Sequence, residues 1–244
     1  MEIFKTTKTY GFMARRIPFT AVSVILMLIS IISLFTNGLN YGIDFAGGTV
    51  IQVKYEKEAP ISDIRDILKE TRHSSAAITK FGSDDEIVIR ITGSSSALAS
   101  DIGDEMKSIL AKTGNFEIRR VDMVGAKVGD ELAEKGLLSL LLSFIGIIVY
   151  VSFRFDWKFA FVSLLALVHD VIIAMGAVSL FNIEVNLDIL AAILTLLGYS
   201  LNDTIIIFDR IREAIQISKE DNLEKLIDES VSRTLPRTTL SSLT

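Results

Sequence analysis

Asp203 is the residue that demands most of its surroundings. It stands in Tyr199-Ser200-Leu201-Asn202-Asp203-Thr204-Ile205-Ile206-Ile207-Phe208, where an amide and a carboxylate interrupt a run otherwise apolar enough to cross a membrane. An ionisable group near the bilayer centre costs from about 2.5 to over 10 kcal/mol, so it faces a partner or a water-filled path. A carboxylate there can load and release a proton, and Asn202 beside it can both donate and accept a hydrogen bond. Tyr199, Asn202, Asp203 and Ile206 share a helical face, and Gly198 leaves room for a neighbour, so this face is expected to be buried in protein. His169 and Asp170 form a second polar pair inside another apolar run. A carboxylate at that depth needs a proton, a hydrogen-bond donor or water. Their chemistry is either a polar relay for protons or the hydrogen bonding that pins membrane helices together.

The segment Gly42-Ile43-Asp44-Phe45-Ala46-Gly47-Gly48-Thr49 is a different kind of candidate. Its glycine pair suggests a phosphate cradle, but the lysine of a P-loop is missing and no helix is expected after it, so it reads as a structural turn feeding a strand. With two histidines far apart and no cysteine, the sequence offers no disulfide, thiolate site or metal constellation, and no cofactor is expected. A formal net charge of −5 and the lack of a dense basic patch with interleaved aromatics argue against a nucleic-acid partner.

These residues must be positioned by elements in lipid. Half of the 244 residues are hydrophobic, and they fall in long blocks rather than in the scattered pattern of a soluble core. Residues 17–36, 136–153, 159–181 and 187–208 read as transmembrane helices, the first as an uncleaved anchor because no small-residue cleavage pattern follows it. Lys5, Lys8, Arg15 and Arg16 precede the first span; Arg154 and Lys158 separate the second and third; Arg210, Arg212, Lys219 and Lys225 follow the fourth; residues 182–188 carry no basic side chain. The positive-inside bias therefore puts residues 1–16 in the cytoplasm and residues 37–135 outside.

That outer segment alternates strand-like and helix-like periodicities in the order βαββαβ, which predicts an α+β, ferredoxin-like sandwich with its helices on one sheet face. Val124-Gly125-Ala126-Lys127-Val128-Gly129-Asp130-Glu131-Leu132 reads as the linker returning to the membrane. Residues 209–236 read as a charged cytoplasmic segment with an amphipathic helix through Leu223, Leu226, Ile227 and Val231. Pro236 is expected to restart the chain, with residues 237–244 opening a fifth membrane helix.

Several separated motifs now agree. The segment 42–49, the return at 124–132, Leu167-Val168-His169-Asp170-Val171, the stretch from Gly198 to Glu213 and the stretch from Ser230 to Thr244 resemble the SecF family of the Sec protein-translocation machinery, within the RND superfamily. The resemblance implies an α-helical membrane bundle that forms half of a pseudo-symmetric pair with a SecD-type subunit, next to the SecYEG translocon and an exported unfolded polypeptide. It implies use of the proton-motive force for late steps of export across the cytoplasmic membrane, without catalysis of a covalent reaction. Asp203 matches the family's transport aspartate and Arg237 its arginine at the start of the fifth span; the rest of the fifth span and the sixth would lie beyond Thr244. An RND-type exporter of lipids or small molecules, or a scaffold whose polar residues only pack helices, are the alternatives; membrane lipid is the surrounding partner in every case.

Overall fold

A computed structural model describes residues 9–92, 99–154, 157–217 and 222–243. The Ser94-Ser95-Ser96 loop lies outside the described residues. The chain divides into two compact units, one comprising residues 41–138 with 185–187 and the other residues 1–40, 139–184 and 188–244.

The first unit holds the sheet. After the short strand β1 (Asn40–Tyr41) and one helical turn α2 (Ile43–Ala46) come β2 (Gly48–Tyr55), α3 (Ile61–Lys69), β3 (Ala77–Phe81), β4 (Ser83–Thr92), α4 (Ala99–Leu110) and β5 (Phe116–Val124). The four long strands run antiparallel in the order β3-β4-β2-β5. This is the split βαβ arrangement expected of a ferredoxin-like sandwich. Alternation explains which face is covered. Ile51, Val53 and Tyr55 of β2 and Ile87, Ile89 and Ile91 of β4 point inward at every second position and meet Ile64 and Leu68 of α3 and Ile102, Met106 and Leu110 of α4. The opposite face carries Gln52, Lys54, Glu86 and Arg90 and is only partly covered.

The second unit is built from long helices: the apolar α1 (Arg16–Thr36), most of α5 (Ala126–Arg154), α6 (Trp157–Leu180) and α7 (Leu187–Ile217), and the more polar α8 (Leu223–Leu243). The first four of the long helices are long and apolar enough to span a membrane. Helices α1 and α6 pack at a constant sequence offset: Ser23 meets His169, Ser33 meets Ser179, and Ser30 lies against Gly176. Only a parallel pair in fixed register gives one offset throughout. Small residues set that register, because a methyl group at Gly176 would overlap the side chain of Ser30. Ser179 Oγ–H also reaches the carbonyl of Gly38 at 2.7 Å, closing the end of the seam.

Two expectations need correction. The return at 124–132 is not a linker separate from the membrane helix: after Gly125, α5 begins at Ala126 and continues without a break through the apolar block. Charged Lys127, Asp130, Glu131, Glu134 and Lys135 are tolerated in a helix and mostly favour one, so the helix simply starts before the apolar block does. Pro236 does not restart the chain either; α8 runs through it, so the amphipathic segment and residues 237–243 form one helix. The proline removes a single backbone donor. Around it, hydroxyls bond back to carbonyls of the preceding turn, Ser232 to Asp228, Thr234 to Val231, Thr238 to Thr234 and Thr239 to Leu235. The start of α8 is fastened to the start of α1: Asp228 Oδ1 accepts the Met13 N–H at 2.8 Å, Ser232 Oγ accepts the Tyr10 N–H at 2.9 Å, and Arg16 pairs with Glu224.

Candidate functional site

His169 and Asp170 sit midway along α6, where successive side chains diverge by about 100° around the axis. They nevertheless meet, His169 Nδ1 lying 2.9 Å from Asp170 Oδ1. An ionised carboxylate only accepts, so with Asp170 in that form Nδ1 would carry the proton of this contact. In the neutral ring Nε2 is then the acceptor, and Ser23 Oγ of α1 lies 2.6 Å from it. On the other side Ser200 Oγ–H of α7 donates to Asp170 Oδ2 at 2.6 Å. Ser23, His169, Asp170 and Ser200 thus form a hydrogen-bonded chain across α1, α6 and α7.

Asp203 follows Ser200 by three residues and lies on the same side of α7, half-buried. Its Oδ1 accepts a hydrogen bond from Ser241 Oγ of α8 at 3.3 Å. Arg237 stands one turn before Ser241 on the same face of α8, exposed, and among the described residues no ion pair joins it to Asp203. The contact between α7 and α8 at this level is therefore made by a hydroxyl. Asn202 and Tyr199 point outward from the chain, so any protein that covers this part of the face must come from outside it. Helical geometry explains the split: Asp203 lies angularly between Tyr199 and Ser200, so the inward part of this arc is Ser200 with Asp203 and the outward part is Tyr199 with Asn202. Gly198 and Gly146 meet nothing that a Cβ would touch and line an open apolar groove with Leu194, Leu197, Ile147 and Tyr150.

The glycine-pair segment is structured as a tight knot. Gly42, Gly47, Gly48 and Thr49 are buried. Gly47 adopts φ 67°, and a Cβ there would lie 2.8 Å from the Ala126 Cα. A Cβ at Gly129 would come within 3.1 Å of the Phe45 carbonyl oxygen. The segment thus seats the first turn of α5, and no phosphate cradle is needed to explain its glycines. Asp44 adds something that turn chemistry does not predict: its Oδ2 accepts the N–H of Leu187, the first residue of α7, at 3.0 Å.

The hydroxyls Ser23, Ser200 and Ser241 escape a reading of the sequence because a serine in an apolar span carries no charge that demands a partner. Position offers the usable signal. Ser200 is one turn from Asp203, Ser241 is one turn from Arg237, and Ser23 lies in a span whose buried positions are serines.

Known proteins resemble this chain along its whole length. Residues 105–244 match the family model for the C-terminal part of the protein export membrane proteins SecD and SecF, and residues 32–59 match the SecD/SecF GG motif. The chain is 49% identical over its full length to the protein translocase subunit SecF of Helicobacter pylori strain 26695, covering 76% of that protein. It is 41% identical to the subunit of the same name from Vibrio alginolyticus, over 99% of the chain and 77% of that protein. Among solved structures, the translocon-associated membrane protein SecDF from Thermus thermophilus superposes with a TM-score of 0.86 at 31% identity over 99% of the chain. SecDF in its super-membrane-facing form gives a TM-score of 0.66 over 97% of the chain. The chain spans 33% and 32% of the lengths of those two SecDF chains.

Proposed function

The chain belongs to the SecD/SecF family of protein export membrane proteins, and from that premise we propose that it couples the proton-motive force to late steps of export across the cytoplasmic membrane. In this reading residues 1–16 are cytoplasmic, the sheet-bearing unit is extracytoplasmic, and a SecD-type subunit completes the bundle beside the SecYEG translocon. An unfolded exported polypeptide is the cargo. The observation that carries the proposal is the line of polar contacts through the apolar helices, from Ser23 through His169, Asp170 and Ser200 to the turn that holds Asp203 and its Ser241 contact.

Asp203 is the loading site. With its carboxylate ionised, a donor from α8 must offset the lost hydration; once it is protonated that demand falls and α7 and α8 can repack. Arg237, one turn from Ser241, is the group that meets the ionised form in the alternate packing, and Ser241 holds it in the present one. Asn202 faces the partner subunit, where its amide finds the bonds that lipid cannot give. The different fits of the two SecDF structures, 0.86 and 0.66, support a fold that takes more than one arrangement. One proton crossing about 100 mV releases about 2.3 kcal/mol, sufficient to bias a two-state bundle.

The test is reporter export in sealed vesicles, with and without a proton gradient. Asp203→Asn is expected to reduce export to the level seen without a gradient while the protein still inserts and assembles. Arg237→Lys is expected to rescue little where the planar guanidinium is needed. Full gradient-stimulated export by both Asp203→Asn and Arg237→Ala would refute the coupling role and return these residues to helix packing. Stimulation by a sodium gradient alone would replace the proton as the coupling ion.

A further inference from the structure

The Gly42–Thr49 segment touches two membrane helices at their first residues. Gly47 and Gly129 bring the backbone of the α2 turn onto the start of α5, so closely that a Cβ on Gly47 would press on the Ala126 main chain. The Gly42 N–H donates to the Val185 carbonyl at 2.8 Å, two residues before α7 begins. Asp44 then places Oδ2 on the N–H of Leu187. The first N–H groups of a helix have no partner within it, and a carboxylate there both satisfies a donor and opposes the positive end of the helix dipole. Asp44 caps a helix that begins 143 residues later in the chain.

The grip is internal to one unit. Residues 185–187 and the opening turns of α5 belong with the sheet, while the rest of both helices belongs to the membrane unit. On its C-terminal side, the same segment runs into β2, which like β4 is paired on both edges in the sheet. A shift of α7 along its axis, transmitted through a continuous helix from the turn of Asp203, must therefore either carry the 42–49 segment and β2 with it or break the Asp44 contact.

We propose that Asp44 is a positioning residue for proton-coupled export: by capping α7 from the glycine-pair segment, it links movement of the Asp203 helix to β2, one of the two interior strands of the outer sheet. This rests on the proposed function of Asp203, and it assigns the glycine-pair segment a transmitting role. The glycines supply the close approach that makes the segment stiff, and Asp44 supplies the bond that engages α7.

The test uses the full chain assembled with its membrane partner in sealed vesicles and reads two quantities: protonation of Asp203, from the infrared carboxyl band absent in Asp203→Asn, and gradient-stimulated reporter export. Asp44→Ala should leave the Asp203 band titrating as in the parent while lowering stimulated export roughly five- to tenfold, the change expected from losing a cap of ordinary strength. Asp44→Asn, whose amide oxygen still accepts the N–H, should keep at least about half of the parent's export. Leu187→Pro deletes the donor at the helix position where proline is tolerated, and should reproduce the Asp44→Ala loss even where Asp44→Ala itself assembles poorly. Parent-like export by Asp44→Ala or Leu187→Pro, with Asp203→Asn inactive, overturns the transmitting role and leaves the Asp203 reading intact. Parent-like export by Asp203→Asn overturns both.

Discussion

The sheet-bearing unit, the outer one in the proposed reading, and the membrane unit solve the burial problem with opposite residues. In the sheet-bearing unit the inaccessible side chains are Ile51, Ile64, Ile87, Ile89 and Met106, each 0% exposed. In α1 the pattern inverts: Leu28 and Ile29 are 53% and 45% exposed, whereas Ser30 and Ser33 are 6% and 5% exposed. Water drives apolar area inward in the first unit. Lipid gives no such drive in the second, because its tails are as apolar as leucine, so small residues and hydrogen bonds decide which faces meet. A membrane helix therefore shows its function on its polar positions, and an aqueous domain shows its core on its apolar ones.

The largest expected effect tests that contrast. Ile89→Ala should destabilise the outer unit by about 2–5 kcal/mol, since it removes fully buried methyl groups and leaves a cavity. Ile29→Ala, on the exposed side of α1, should change stability by no more than about 0.5 kcal/mol. Hydrogen exchange of the β2 and β4 amides in the full-length protein measures the first effect, and thermal inactivation in membranes measures the second. Equal costs for the two substitutions would break the comparison.

A smaller effect sharpens it. Gly176→Ala adds one apolar carbon to an apolar span, which on hydropathy alone should be harmless. Because that carbon overlaps Ser30, it should instead separate α1 from α6 and cost about 1–3 kcal/mol of packing. Met27 and Ile173 stand at the same sequence offset as the Ser30 and Gly176 pair. Crosslinking between cysteines introduced at those two positions should fall in Gly176→Ala and stay unchanged in Ala177→Gly. Undiminished crosslinking would show that small residues do not set this seam.

The two units also differ in how well the sequence exposes them. Alternation at Ile51, Val53, Tyr55 and at Ile87, Ile89, Ile91 announces a one-faced sheet, and the βαββαβ order leads to the observed strand order. The candidate span cores at residues 17–36, 136–153, 159–181 and 187–208 lie largely within α1, α5, α6 and α7. Asp203, His169 and Asp170 are visible because charge in lipid demands a reason. Their partners are not: Ser23 to His169 is a separation of 146 residues, Asp44 to Leu187 one of 143, and local periodicity carries no trace of either. Pro236 misleads for a related reason, since its local tendency to end a helix is overridden within the folded α8, which runs through it. Motif positions lead one to expect Asp203 and Arg237 as a pair, yet Ser241 makes the observed contact.

The smallest expected effect lies on the aqueous side, where polar contacts should matter least. In the outer unit, Glu105 of α4 pairs with Arg72, which follows α3, and its Oε1 lies 3.2 Å from Nε2 of the buried His73. The Arg72 guanidinium, helped by His73, holds the Glu105 carboxyl below the ordinary glutamate value of 4.5 despite some opposing desolvation. A carboxylate whose pKa falls on folding binds fewer protons in the folded state over the interval between its two pKa values. Its contribution to stability is therefore complete above the unfolded value, and it declines as pH drops below about 4.5 and through the lower folded value. Glu105→Gln should flatten the acid limb of the stability curve while moving the midpoint at neutral pH only slightly, as expected for a partly exposed pair. Added salt should reduce the difference between the two proteins. Urea unfolding of the outer unit, followed between about pH 3 and 7 in parent and Glu105→Gln protein, makes the measurement. A steeper acid limb in the variant would reverse the sign and show that Glu105 is held above, rather than below, its ordinary range.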